Sequence, residues 1–322
     1  MAVTLTTIET FLVVVPTIAL SFWYLYRSSR AGRFWMLAFI VSFVYGMTLE
    51  TLSIKTVQEY DYANLWFMFG TIPEWVPYSV GLGWASMVYI GMQTSDQLGL
   101  PWWQRPLLDG AVATVMDLVL DPGASATRLV VADSRPCLFQ TTPTFGGIGA
   151  WTWCVPDSTQ GWWYSVPLGN FIGWFVIVAT LSFFYRAAQR WGKGDTRGWL
   201  AQLALLVAAA ACSLGTCVLL LQKTNIANRS GALQWAVFVA LMGTPLLLVS
   251  WQRAKLRFDN PRPWGVAVWP IFIYVTWSLM FVVKKIDLAR WPLAPIGIIL
   301  TACAGLLLVF LPSLGSPGRR SA

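Results

Sequence analysis

Apolar runs of about twenty residues follow one another along almost the whole chain, separated by short polar turns. This succession constrains the fold more than any motif does. A backbone in hydrocarbon must pair its own N–H and C=O groups, and a helix does so within one segment. Nine spans are expected, at 5–26, 33–54, 72–92, 106–121, 165–186, 199–221, 233–250, 264–283 and 293–312. The expected fold is an all-α polytopic membrane protein, a helical bundle of about nine transmembrane spans (seven to nine). Only 11% of residues are charged, against about 25% in soluble domains. The deficit covers the full length, so a soluble domain with one anchor is excluded.

The short connections predict a single integral membrane domain over 1–322. The exception is 122–164, rich in Pro, Gly, Thr and Trp, which is expected as a long outward loop. Residues 313–322 read as a flexible C-terminal tail. No Lys or Arg precedes the first apolar run, Leu5 to Tyr26, so that run is expected to stay as a span. Fourteen of the 22 Lys and Arg fall on one set of alternate connections: Arg27, Arg30, Arg33, Arg105, Arg186, Arg190, Lys193, Arg197, Arg253, Lys255, Arg257, Arg262, Arg319 and Arg320. The positive-inside rule then places the N-terminus outside and the C-terminus in the cytoplasm, across the cell (plasma) membrane. The same placement explains the net charge of +8 and argues against a nucleic-acid partner. The lipid bilayer is the expected surrounding.

The chain has no histidine. Imidazole-ligated di-iron chemistry, His-ligated haem and Ser-His-Asp hydrolysis are therefore excluded. No Lys lies in mid-span, which disfavours a retinal Schiff base. Cys212, Cys217 and Cys303 lie in apolar runs and read as small core residues. Cys137 and Cys154 share the long loop and would be able to pair in an oxidising compartment. No CxxC and no metal-ligand spacing occurs. The reaction, if any, must run on carboxyls, amides, hydroxyls and aromatics. The 20 Trp and 10 Tyr suit interfacial belts or the wall of a pocket for a large flat ligand.

Ionisable groups inside spans are costly and are functional candidates by default. Glu50, Asp109, Asp117 and Asp121 qualify, with Glu74 at the mouth of the third span. Asp117 and Asp121 are four apart and share a helix face, their Cβ atoms about 5–6 Å apart. Two carboxyls this close in a dry site do not both ionise easily, so one is expected to keep its proton and serve as an acid. Pro122 disfavours helical backbone at Asp121, so the helix is expected to end there. Sixteen residues reach only about 24 Å, which would leave Asp121 at a recessed helix end. The plain structural alternative is that these acids cap helices or pair with Arg. For Asp109, four residues after Arg105, a local ion pair is the simpler reading. Asn170 lies in the first turns of the fifth span, within Gly169-xxx-Gly173, a spacing that also serves close helix packing. A buried amide there would orient an acid or a water. With the charge-derived orientation, Glu50, Glu74, Asp117, Asp121 and Asn170 all fall in the outward half, and one shared cavity is expected.

Three stretches at these residues resemble a family of membrane carotenoid-biosynthesis proteins. Its known members are carotenoid 1′,2′-hydratases of the bisanhydrobacterioruberin hydratase type. The stretches are Pro106-Leu-Leu-Asp-Gly through Met-Asp-Leu-Val-Leu-Asp-Pro122, Gly161-Trp-Trp-Tyr-Ser-Val-Pro-Leu-Gly-Asn-Phe-Ile-Gly-Trp-Phe175, and the region from Tyr45-Gly-Met-Thr-Leu-Glu50 to Pro77 and the following span. The resemblance covers about residues 33–190. The chain departs from the pattern at Gly169, where Ser is expected, and in the longer stretch 123–148.

The resemblance implies addition of water across the terminal C=C of an acyclic carotene end, without cofactor or oxygen, giving a tertiary alcohol. Asp117 or Asp121 would be the acid, and Glu50 would position water or take its proton. Glu74, Trp163, Tyr164, Asn170 and Trp174 would line the substrate site, with aromatic faces holding the cation. The implied partners are the acyclic carotenoid and other enzymes of carotenoid synthesis. Three other readings remain open. A carotene cyclase would begin with the same protonation and end by proton loss. Prenyl transfer through magnesium diphosphate would need a second Asp-rich motif, and none is present. A transporter or pigment-binding protein would use the acids as a proton relay.

Overall fold

The computed structural model describes residues 7–56, 60–63, 65–72, 74–125, 150–153, 161–164, 166–192, 198–252, 267–283 and 294–310. Among them are nine α-helices: α1 Thr7–Ala31, α2 Arg33–Thr56, α3 Tyr78–Asp96, α4 Arg105–Ser125, α5 Leu168–Trp191, α6 Trp199–Thr224, α7 Gly231–Trp251, α8 Val268–Val283 and α9 Ala294–Phe310. Cys137, Cys154 and the tail 313–322 lie outside the described residues.

Four helices, α2, α5, α6 and α7, are long and apolar enough to cross a membrane. Apolarity tracks what a helix faces. Of these four, α6 and α7 are the most apolar and have only 28% and 17% of their apolar windows buried, so many of their Leu and Val side chains point outward. By contrast α4, with three Asp, is buried along nearly its whole length and packs on α3, α5, α8 and α9. It is the central post of the bundle, and its polarity is affordable because protein surrounds it.

Two predicted boundaries differ. Helix α4 does not stop at Asp121 but runs through Pro122 to Ser125, about 31 Å in all. Proline cannot donate to the carbonyl four residues back and its ring crowds that carbonyl. The freed group is Leu118 C=O, and the indole Nε1 of Trp163 donates to it at 2.9 Å. An external donor thus replaces the missing one, and the helix continues. Helix α3 begins at Tyr78 rather than at 72, because 68–77 forms an antiparallel hairpin of β2 (Met68–Phe69) and β3 (Val76–Pro77). Two further two-stranded ribbons pair β1 (Tyr60–Tyr62) with β4 (Trp151–Trp153), and β5 (Trp162–Trp163) with β6 (Val166–Pro167).

Close helix approaches rest on glycines, though not on the spacing that the sequence suggested. A Cβ on Gly110 would stand 2.8 Å from the Phe175 carbonyl of α5, and one on Gly91 would stand 3.1 Å from the Asp109 carbonyl. At Gly173 a Cβ would meet nothing, so close packing is not what that glycine provides.

Candidate functional site

The end of α2, the start of α3, the end of α4 and the start of α5 meet at one end of the bundle and enclose a cavity of about 90 Å³, measured at the centres of the waters that fit. Glu50, Asp121, Asn170 and Trp174 line it. A period of two in β1 puts Tyr60 and Tyr62 on one face. The ribbon's register sets Trp153 and Trp151 opposite them. These four rings, with Tyr60–Trp153 centroids at 5.1 Å and Tyr62–Trp151 at 5.9 Å, roof the cavity and all line it. The described part of the long loop is thereby built into the site.

Glu50 is buried and receives three donors. The hydroxyls of Tyr60 and Tyr62 donate to Oε2 at 2.5 and 2.8 Å, and Trp84 Nε1 donates to Oε1 at 2.7 Å. Burial, reinforced by the Glu50 charge, pushes both phenols well above their ordinary range, so they stay donors. Trp84 reaches Glu50 because Gly46, one helical turn earlier on α2, leaves room; a Cβ there would come within 2.6 Å of the Trp84 Cβ. On its other face Trp84 stacks on Trp174 of α5, centroids 3.6 Å apart and planes 8° from parallel.

Across the cavity, Asn170 Nδ2 donates to Asp121 Oδ2 at 2.5 Å and to Asp117 Oδ2 at 3.0 Å. One amide therefore holds both carboxyls of the i, i+4 pair. The Trp151 side chain is a further hydrogen-bond partner of Asp121. Asp121 faces the cavity, whereas Asp117 lies fully buried behind it with Oδ1 unpartnered. Among the described residues, no Lys or Arg pairs with Glu50, Asp117 or Asp121.

The other proposed residues lie elsewhere. Glu74 is half-buried and pairs with Lys55 at 3.3 Å; it sits in the turn of the β2–β3 hairpin, since α3 has not yet begun there. Trp163 is spent on Leu118. The Tyr164 hydroxyl packs against α9, 1.7 Å from where a Cβ on Gly297 would stand, and its backbone takes a positive φ of 51° at the β5–β6 turn. Asp109 does form an ion pair, but with Arg186 of α5 at 2.9 Å rather than with Arg105, which pairs with Asp96 at 2.9 Å. Arg105 points back along the 96–105 connection, and Gly91 and Gly110 bring α3 and α5 close enough for Arg186 to take Asp109.

Sequence reasoning missed Tyr60, Tyr62, Trp84, Trp151 and Trp153. Tyr-x-Tyr and Trp-x-Trp between helices are period-two patterns, a signal for short strands but not for their pairing.

Fold and site together define a membrane helical bundle with a carboxyl-headed, aromatic-walled cavity. Residues 8–133 match the family model described as "Carotenoid biosynthesis protein", which supports the resemblance at family level. The match contains Glu50, Asp117 and Asp121 and ends before Asn170. No curated protein and no solved structure matches the chain.

Proposed function

We propose that the protein is a cofactor-independent carotenoid hydratase that adds water to the terminal C=C of an acyclic carotene end. The observation that carries the reading is the meeting, in one small cavity, of an amide-held acid pair and a separate carboxylate with three donors. Asp121, which faces the cavity, protonates the terminal CH carbon of the alkene, and the π electrons form the new C–H bond. The tertiary cation left behind lies among Trp84, Trp174 and the aromatic roof. Water attacks it, and Glu50 takes the surplus proton. That proton returns to Asp121 across the cavity both residues line, so one alkene and one water give one alcohol. Asp117 is a positioning residue: it acts through Asn170 and keeps a second negative charge from forming beside Asp121. Three donors point at Glu50, and hydrogen bonds of this kind favour its anion once the cation forms beside it.

The polar roof and the Asn170 amide favour water capture over the proton loss of a cyclase. Expression with an acyclic C40 carotene should give a product heavier by one water, with ¹⁸O incorporated from labelled water under anaerobic conditions. An isomeric ring product would select the cyclase, and an oxygen requirement would sink both readings.

A further inference from the structure

The cavity is too small for a long chain. A site that takes a whole drug-sized ligand spans about 300–1,000 Å³, and this cavity has about 90 Å³. Only the end of such a chain is therefore enclosed. The remainder of any carotenoid must leave the protein, and only an apolar exit would accept it.

The lining identifies the exit. Besides the polar head, the cavity touches Thr17 of α1, Gly83 and Met87 of α3, and Trp269 and Trp277 of α8. Helix α1 packs on α2 and α3, and α8 packs on α4 and α9. Among the described residues α1 and α8 share no broad packed face. They are pinned where the Trp269 backbone N–H donates to the Tyr24 hydroxyl at 3.0 Å and the two rings meet edge-on. From that pin, Thr17 and Trp277 lie about 10–12 Å along their helices toward the acid end, and there they flank the cavity. Gly83 completes the space. A Cβ on it would meet no atom within 4 Å, whereas one on Gly81, two residues earlier, would strike Met47 at 2.6 Å. Gly81 is needed for packing, whereas Gly83 faces open space.

We propose that the seam between α1 and α8 is a lateral port. Through it the end of a long isoprenoid chain enters from the bilayer, Thr17 and Trp277 forming the jambs and Gly83 the floor. The substrate class rests on the hydratase reading above, and the port itself rests on the geometry. It makes the enzyme a reader of chain ends, indifferent to what lies beyond the enclosed end.

The test uses the full-length protein in lipid bilayers and an acyclic C40 polyene carrying a diazirine about three isoprene units from one terminus. Photolysis should label residues 14–24 or 269–279. Thr17→Trp and Gly83→Leu should each cut labelling at least about tenfold, while Val275→Trp, on the exposed face of α8, should not. Labelling confined to α5, α6 or α7, no labelling at all, or full labelling in both blocking variants would overturn the port. Product is measured in parallel. Seam labelling without hydration removes the hydratase reading and keeps the port; hydration with labelling elsewhere does the reverse.

Discussion

Helix α4 carries two buried acidic clusters that solve the same problem in opposite ways. Near its start, Asp109 is fully buried and enclosed by Arg186 and the hydroxyls of Ser95 and Ser182, while Arg186 also binds Asp96. Charge is matched there, and both carboxyl oxygens of Asp109 have a donor. Two to three turns further on, Asp117 and Asp121 share one amide, Asp117 keeps an unpartnered oxygen, and no cation pairs with either among the described residues. A fold under pressure only for stability would treat both clusters like the first. The second gives up the cation and keeps a cavity, which is what the proposed function asks of a reactive end.

The contrast is broken most severely by exchanging activity for stability. Asp121→Asn and Asp117→Asn should each cost about 10²–10⁴-fold in turnover, the range of a positioned general acid, with thermal unfolding in detergent nearly unchanged, because on the proposed reading Asn replaces a protonated carboxyl of the same shape. Arg186→Met should do the reverse. It leaves Asp109 buried without its cation, at about 3–5 kcal/mol of stability, and any folded fraction should turn over normally. Asp109→Asn should be milder in turnover than either α4 partner near the cavity. If Asp121→Asn unfolds the protein while Arg186→Met kills turnover alone, the division of labour is wrong.

A smaller effect separates the two acids within the cavity. Tyr60→Phe and Tyr62→Phe each remove one of three donors to Glu50, a hydrogen bond to a charged group worth about 1.5–3 kcal/mol. Turnover should fall about tenfold to a hundredfold, and the double variant should lose more than either alone. Unchanged turnover in the double variant would show that Glu50 needs no anionic stabilisation.

These residues also mark how far the sequence could be read. The all-α class and the order of the described helices were legible because apolar length is a direct consequence of the bilayer. Asp117, Asp121 and Asn170 were legible because charge and amide inside a span are costly, and i, i+4 spacing gives a shared face without tertiary knowledge. The roof was not legible. Tyr60 and Trp153 are 93 residues apart and meet through a three-residue ribbon, whose pairing no local propensity dictates. Glu74 failed because hydropathy does not distinguish the first turn of a span from a hairpin leading into it. Asp109 was given Arg105 by sequence distance, whereas glycine-mediated helix approach gave it Arg186.

The smallest prediction tests why α4 reaches past Pro122 at all, on which the placement of Asp121 depends. Proline removes the donor for Leu118 C=O, and Trp163 supplies one at 2.9 Å. Trp163→Phe keeps most of the ring and removes only that N–H, so it should destabilise the protein by about 1 kcal/mol. Pro122→Ala restores a backbone N–H able to bond Leu118, and in that background Trp163→Phe should cost less than half as much. The two residues are therefore coupled through a single carbonyl, and a double-mutant cycle read by unfolding in detergent should give an interaction energy of about 0.5–1 kcal/mol. The sign matters more than the size: the double variant must be more stable than the sum of the two single changes predicts. Strict additivity would mean that Trp163 matters only as packing, and that the continuity of α4 beneath Asp121 comes from the surrounding helices instead.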